Sequence, residues 1–176
     1  MRLFLDGQYI DDEMSLLEDV VAAFGARIRG IVEHPDPQFA KACNLDDVAE
    51  HLIGVVLVAA QNYIVTSAAL QGVTKFEALD VGPVHRSGRR VVELVNHCAN
   101  FWKHADEWDW DRPDKRRQAI LDAFDDLSLP ETSMPLVYLV SQICDSNEGD
   151  LAPLCRVLSD WRIALEETHP GPSVRN

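Results

Sequence analysis

Apolar residues recur at alternating gaps of three and four along much of the chain, which is the spacing of one face of an α-helix. The clearest stretches run from Met14 to Ile31 and from Leu151 to Leu165. A long, almost uniformly apolar segment lies between them and begins after Asn44, which suits an N-cap. The pattern predicts about six helices, at residues 14–31, 44–72, 87–108, 112–127, 136–144 and 150–165.

Helix starts and loops are marked by particular residues. Ser87 can cap the third helix, Pro113 fits the first turn of the fourth, and Asp150 can cap the last. Residues 73–88 lose the helical period, as does the segment SLPETSMP, so both are predicted to be loops.

The first residues carry a different signal. RLFL and QYI are short apolar runs on either side of Asp6-Gly7, a dipeptide that suits a type I′ turn. A lone hairpin is only marginally stable, so we expect it to lie against the helices or to pair with another chain. The predicted fold is mainly α: a helical bundle of about six helices with a short N-terminal β-hairpin. We expect one α-helical domain over residues 1–167 and a disordered tail over 168–176.

Composition narrows the kind of partner. The chain has 176 residues, of which 47% are hydrophobic, enough for one substantial core. Its 29 acidic and 16 basic side chains give a formal net charge of -13. This field repels nucleic acid and anionic membranes and attracts a basic partner, so a nucleic-acid site would require a local positive patch.

Cysteine usage and hydropathy predict a cytoplasmic protein. Cys43, Cys98, Cys144 and Cys155 include no C-x-x-C pair, and at least three lie in helical patterns, where we expect buried, reduced thiols. The first residues lack the apolar region of a signal peptide. Residues 52–70 carry no charge, but two amides fall in their middle, so we expect a helix buried on all sides and no membrane association.

The third predicted helix carries an unusual polar face. Residues three, four, seven and eleven apart share a face of a helix. The polar stripe consists of Glu93, His97, Asn100, His104 and Glu107, with Asn96 and Lys103 beside it. Any surface helix has a polar face, and that explanation stays open. Asn and His are poorer helix formers than Glu, Lys, Gln or Arg, which favours a functional contact.

Metal binding by this stripe is not expected. His97 and His104 are seven residues apart, so they stand about 10 Å apart along the axis and cannot share one ion. The sequence has neither the E-x-x-H pair of di-iron bundles nor H-E-x-x-H. We therefore expect no metal and no cofactor. Acid–base chemistry requires only one histidine near neutral pH, with an amide or cation to orient a phosphate.

A basic cluster precedes the stripe. HRSGRR, residues 85–90, lies at the predicted start of the same helix, where free N–H groups and the helix dipole favour an anion. The second basic cluster, DKRRQ at residues 114–118, is predicted to be the solvated first turn of the next helix.

Two elements of the third helix resemble HEPN domains, the higher eukaryotes and prokaryotes nucleotide-binding family. Arg90 and His97 form an R-x6-H element, and Asn100, His104 and Asp106 match an N-x-x-x-H-x-D helix end. HEPN domains are small helical bundles, many of them metal-independent ribonucleases of toxin and phage-defence systems. In these ribonucleases the arginine and histidine meet across a homodimer interface.

The resemblance implies a homodimeric ribonuclease with an RNA substrate. His97 or His104 would act as general acid or base, Arg90 would stabilise phosphate charge, and Asn100 would position the substrate. Further substrate contacts are expected from the neighbouring Arg89, Asn96 and Lys103.

A non-enzymatic function competes with this one. The segment DEWDWD, residues 106–111, combines carboxylates with tryptophans, which anchor interfaces well. Trp108 is expected to complete the core, whereas Trp110, Asp109 and Asp111 would contact a partner. With the net charge, this predicts an acidic binding protein, such as an immunity protein or antitoxin, that neutralises a basic protein.

Overall fold

A computed structural model describes residues 2–5, 8–109, 111–112, 114–132 and 134–170. Most of them are helical, as predicted. The helices are α1 (Asp12–Val32), α2 (Pro37–Ala42), α3 (Leu45–Leu70), α4 (Lys75–Leu79), α5 (Val91–His104), α6 (Lys115–Asp126), α7 (Pro135–Cys144) and α8 (Ala152–Thr168). A 3-10 helix, Ala105–Glu107, extends α5.

The prediction of about six helices was too low, because the described part of the chain contains eight α-helices. The two extra ones are α2 and α4, with six and five residues. Helix α4 lies in the segment 73–88 that was predicted to be a loop, and α2 lies between two predicted helices, where no element was predicted. So short a helix completes fewer than two turns and leaves no periodic signal. Their caps were visible: Asp36 accepts from two backbone amides of α2, and Thr74 with Glu77 forms a capping box on α4.

Helix α3 is the centre of the bundle. It packs along α1 and also contacts α2, α4, α5, α7 and α8. Side chains on its inward faces are fully buried, including Ile53, Leu57 and Ile64. Within the described ranges it is the one helix long and apolar enough to cross a membrane by length and composition, and 56% of its most apolar window is buried. The expectation of burial on all sides was wrong, because Val55 and Val65 are 41% and 42% exposed.

The C-terminal helix closes the core against α3 and the loop after α4. The Trp161 indole is buried, donates from Nε1 to the carbonyl of Ala78 at 2.9 Å, and meets the Tyr63 ring edge-on. Gly82 lies against Trp161 with a φ of +88°, so a side chain there would meet both backbone strain and the indole. This packing holds the segment between α4 and α5 in place.

Helix α5 begins later than the sequence predicted. Ser87 does not cap it; Arg90 is the N-cap residue and Val91 the first helical residue. Residues before it turn at Gly88, whose φ is +88°, and Val84 and Arg90 form an antiparallel bridge. Two other predicted caps also differ. Asn44 precedes α3 in a left-handed conformation without a side-chain cap bond. The N-cap residue of α8 is Leu151, but the predicted Asp150 still accepts from Ala152 N, the first amide of the helix, at 3.2 Å.

The N-terminal segment contains two antiparallel strands, β1 (Arg2–Leu5) and β2 (Gln8–Asp11), paired so that Arg2 lies opposite Asp11. Asp11 connects this pair to the bundle, because its carboxylate accepts from Met14 N at 3.0 Å and from the Tyr63 hydroxyl at 2.9 Å. The connecting Asp6-Gly7 lies outside the described residues, so the type I′ turn stays a prediction. Residues 171–176 of the predicted disordered tail lie outside them too.

All four cysteines are free thiols. Cys98 and Cys144 are buried, and burial raises the pKa of Cys144 to about 12. Cys155 is partly buried and Cys43 is exposed, so two of the expected three thiols are fully buried. The high thiol pKa makes both buried cysteines poor nucleophiles at neutral pH.

Candidate functional site

A cleft of about 760 Å³ opens between α4, α5 and the start of α6, with the 3-10 helix at one end. This volume falls within the range typical of small-molecule sites. Its lining includes four residues of the predicted polar stripe, His97, Asn100, His104 and Glu107, and the neighbouring Asn96. Residues from other elements complete the wall: Lys75, Phe76, Leu79, Trp108, Asp114, Arg116, Arg117, Ala119 and Ile120.

His97 lies deep on the α5 wall. Its side chain is 14% exposed, and its Nε2 lies 3.4 Å from Glu93 Oε1. Nδ1 is buried without a hydrogen-bond partner in the described structure. Burial lowers the pKa of His97, the Glu93 carboxylate opposes this shift, and the cations Arg89 and Lys75 add to it. The enclosed position of His97 therefore favours the neutral imidazole.

Glu93 links His97 to the basic cluster. Arg89 donates from Nη1 to Glu93 Oε1 at 3.2 Å and from Nε to Asp126 Oδ2 at 2.6 Å. These partners raise the pKa of Arg89, led by the hydrogen bond to Asp126. Arg89, predicted to contact substrate, thus joins α5 to the end of α6, and its guanidinium is already engaged by two carboxylates.

The two asparagines of the stripe satisfy a buried amide of α3. Gln61 donates from Nε2 to Asn96 Oδ1 at 2.8 Å and to Asn100 Oδ1 at 2.9 Å. Lys103 Nζ donates to Gln61 Oε1 at 2.6 Å. Gln61 and Asn96 are both buried, where an unpaired amide would be costly. This contact gives the two asparagines a structural role that offsets their low helix propensity.

His104 is the open histidine of the cleft. Its side chain is 50% exposed, and Nδ1 lies 3.0 Å from Glu107 Oε2 in the 3-10 helix. A neighbouring carboxylate can orient an imidazole for proton transfer. The geometry therefore separates the two histidines: His97 is enclosed, whereas His104 can reach a ligand in the cleft.

Arg90 does not line the cleft. Its Nη1 donates to the carbonyl of Gly82 at 2.7 Å, on the segment that precedes α5. It lies seven positions before His97, which would place both on one face if both were helical. Arg90, however, is the N-cap residue with extended backbone, at φ -67° and ψ 135°. Its side chain therefore departs from the line of the helix and braces the preceding turn.

Other cations lie beside the histidines, where Arg90 was expected to stabilise phosphate charge. Lys75 on α4 and Arg116 on α6 line the cleft together with the histidines. The pKa of Lys75 is lowered, mainly by burial and also by the ammonium group of Lys103. The carboxylates of Glu107 and Asp114 line the same cleft, so its cations and anions lie side by side.

Two aromatic rings lie at the rim and wall. Phe76 on α4 is 83% exposed, far more than is usual for so large an apolar side chain. Trp108 lies against the core as predicted, with its ring 5.6 Å from that of Phe101 and edge-on to it, but it also lines the cleft. Aromatic faces beside cations suit nucleobases with phosphates.

The acidic segment after the cleft is held by a buried arginine. Arg117 donates to the carbonyls of Asp109 at 2.5 Å and Arg112 at 2.6 Å. The other residues of the predicted solvated turn, Asp114, Lys115, Arg116 and Gln118, are exposed. Asp109 also pairs with Arg112 Nε at 3.2 Å. Asp111 is exposed. Trp110, the predicted partner anchor, lies outside the described residues.

Several residues of the cleft were missed from the sequence. Lys75 and Phe76 lie in a segment predicted to be a loop, and Arg116 belonged to a cluster interpreted as a solvated turn. The Thr74–Glu77 capping box was the available signal for α4. Nothing local in the sequence places α4 against α5.

Comparison of the chain with protein-family models, with curated proteins and with solved structures finds no significant match. The resemblance to HEPN domains therefore stays a prediction.

Proposed function

We propose that the cleft binds a phosphate-bearing ligand and that the protein is a metal-independent ribonuclease similar to HEPN domains. The observation that carries this proposal is the grouping of Lys75, Arg116 and two histidines in one cleft of an acidic chain. Exposed Phe76 supplies a face on which a base can stack. RNA is the substrate that uses all of these groups.

The proposed reaction requires one histidine open to substrate. His104 accepts the proton of a ribose 2′-hydroxyl while that oxygen bonds to phosphorus. The bond from phosphorus to the 5′-oxygen breaks, and the leaving oxygen takes a proton from the imidazolium of His104 or from water. Lys75 and Arg116 offset the charge on the phosphate, and Asn100 donates from Nδ2 to a phosphate oxygen. His97 lines the wall of the cleft, and its imidazole is positioned by Glu93.

The test is cleavage of a defined single-stranded RNA by the purified protein in EDTA. Loss of a general acid–base group costs about 10²- to 10⁴-fold in rate, so His104→Ala should lose nearly all activity. Lys75→Ala should raise KM and weaken its salt dependence. His34→Ala is the matched control. His34 lies in the connection between α1 and α2 and does not line the cleft, so this variant should cleave RNA like wild type. Absence of cleavage by the wild-type protein would reject the enzymatic proposal.

A second candidate function rests on the acidic segment. Asp106, Glu107, Asp109 and Asp111 are all exposed within six residues. We propose as the alternative that these carboxylates bind a basic protein, in the manner of an immunity protein or antitoxin. Capture of a basic protein should then weaken with salt and with Asp109→Asn/Asp111→Asn. If neither changes the capture, this function is wrong.

A further inference from the structure

Lysine is rare in this chain, and half of the lysines lie near one another. The sequence contains four, Lys41, Lys75, Lys103 and Lys115, against 29 acidic side chains. Lys75 on α4 is close enough to Lys103 on α5 for the second ammonium group to lower the pKa of the first. In so acidic a chain, carboxylates are the neighbours expected of a lysine. A lysine placed beside another cation instead is typical of sites where the amine is a nucleophile.

Lys75 has no anionic partner. It is partly buried in the wall of the cleft, and among the described residues its Nζ forms neither a hydrogen bond nor an ion pair. The two carboxylates that share the cleft are engaged elsewhere, because Glu107 contacts His104 and Asp114 accepts from backbone amides at the start of α6. His97, whose pKa the Lys75 ammonium group helps to lower, brings no negative charge.

The other charged groups around Lys75 also leave its amine without a counterion. Lys103 Nζ donates to the uncharged amide of Gln61 at 2.6 Å. Glu77, on the same short helix as Lys75, is bound to Thr74 in the capping box. Burial and the neighbouring ammonium group both lower the pKa of Lys75, and within the described ranges no carboxylate opposes the shift. More of this amine is therefore unprotonated at neutral pH than of an exposed lysine.

The rest of the cleft suits the ligand of such an amine. Arg116 on α6 lines the cleft and offers a guanidinium group, whose fork geometry matches a phosphate. Phe76 follows Lys75 in the sequence and presents an apolar ring at the rim. His104 is the histidine that can reach a ligand, so it can transfer protons there. These groups together fit an aldehyde that also carries a phosphate group.

We propose that Lys75 is a nucleophilic amine that forms an imine with a phosphate-bearing aldehyde bound in the cleft. The lone pair of Nζ adds to the carbonyl carbon, and the carbonyl π electrons move to oxygen. Both N–H protons pass to that oxygen, which leaves as water, so C=N replaces C=O. His104 can carry these protons from nitrogen to oxygen. The inference does not rest on RNA cleavage, because it requires only the amine, the histidine and the anion site.

Reductive labelling with pyridoxal 5′-phosphate and sodium cyanoborohydride tests the amine. Hydride addition to the imine carbon and protonation of nitrogen trap the adduct as a secondary amine, and peptide mass spectrometry measures it at each lysine. At pH 7 Lys75 should react severalfold faster than the exposed Lys41 and Lys115, and unfolding in urea should remove this difference. Fastest labelling at any other lysine, or a preference for Lys75 that survives unfolding, overturns the proposal.

Pyridoxal, which lacks the phosphate group, tests the class of ligand. It should label Lys75 severalfold more slowly than pyridoxal 5′-phosphate does. Arg116→Gln should slow labelling by the phosphate-bearing aldehyde and leave the rate with pyridoxal unchanged. Arg112→Gln is the matched control, since Arg112 is exposed and does not line the cleft. Equal rates for the two aldehydes on the wild-type protein would overturn a phosphate-bearing ligand.

Lys103→Gln tests the like-charge contact, because glutamine keeps a donor for Gln61 and removes the ammonium group. The pH at which labelling of Lys75 is half-maximal should rise, and labelling at pH 7 should slow. Lys115→Gln is the matched control and should label Lys75 like wild type. An unchanged pH profile in Lys103→Gln would overturn the pairing of the two amines. The assay contains no RNA, so its outcome is separate from that of the cleavage experiment, and circular dichroism verifies that each variant is folded.

Discussion

Gly54 lies in the middle of α3 where the Trp102 indole of α5 fills the space that a side chain would occupy. A Cβ at Gly54 would lie 2.0 Å from Trp102 Nε1 and 2.2 Å from two further ring atoms. No rotation of so small a group relieves this overlap. In Gly54→Ala the indole must therefore leave its place, or α5 must move away from α3 and disturb the cleft that α5 lines.

The expected loss can be estimated from opposing effects. Replacing a mid-helix glycine by alanine favours the helix by about 0.5–1 kcal/mol. Overpacking costs about 1–3 kcal/mol, and exposing roughly 100 Å² of the indole adds about 2.5 kcal/mol. We expect Gly54→Ala to lose about 4 kcal/mol of unfolding free energy after these terms offset. For a chain of this size, that lowers Tm by about 8–16 °C.

Urea unfolding and a thermal scan measure this loss, and near-UV circular dichroism reports displacement of the indole. The matched control is Gly30→Ala in α1, where a Cβ meets nothing within 4 Å, so this variant should be slightly stabilised. In a Trp102→Leu background, Gly54→Ala should become slightly stabilising, like Gly30→Ala. Equal losses in both backgrounds would refute the direct contact, as would wild-type stability of the single variant.

Two further predictions concern buried polar groups of α3. Glu50 accepts from the first two amides of α7, and burial raises its pKa to about 6 from an ordinary 4.5. The folded state then binds more protons than the unfolded state between these values, so stability falls as pH rises through this window, by about 2 kcal/mol in all. Glu50→Gln should remove that dependence. Urea unfolding of both proteins at pH 4.5 and 7 measures it. If wild type and Glu50→Gln lose the same unfolding free energy between these pH values, the raised pKa is contradicted. Gln61→Leu should cost about 1–3 kcal/mol in urea unfolding because it leaves Asn96 unpaired. Gln61→Leu/Asn96→Leu should recover most of the loss, and an equally unstable double variant would argue against the pairing.

The positions of the long helices could be predicted because the information is local. Apolar residues at gaps of three and four must share a face, and such a face must be buried, so α1, α5 and α8 were found with their inward sides correct. The short helices could not be predicted from this spacing. Five residues of α4 show no period, although the Thr74–Glu77 capping box marked the start of a helix.

The candidate site could be predicted only in part. The spacing of His97, Asn100 and His104 placed them on one face of α5, and they line one cleft. The position of the Arg90 side chain could not be predicted from spacing. Arg90 is an N-cap residue with extended backbone, so its side chain leaves the face that it would share with His97 in a helix. Lys75 and Arg116 reach the cleft through packing of α4 and α6, which no local pattern encodes.

The sequence alone determined that this chain is a helical bundle with an acidic surface, and that one helix carries two asparagines and two histidines on a single face. Only the tertiary structure decided what those residues contact. Gln61 meets Asn96 across 35 positions of sequence, which turns an apparent functional amide into the partner of a buried one. The same packing decided which side of the apolar α3 stays exposed. Periodicity fixes how a helix is divided into faces, whereas burial of each face depends on which neighbours cover it.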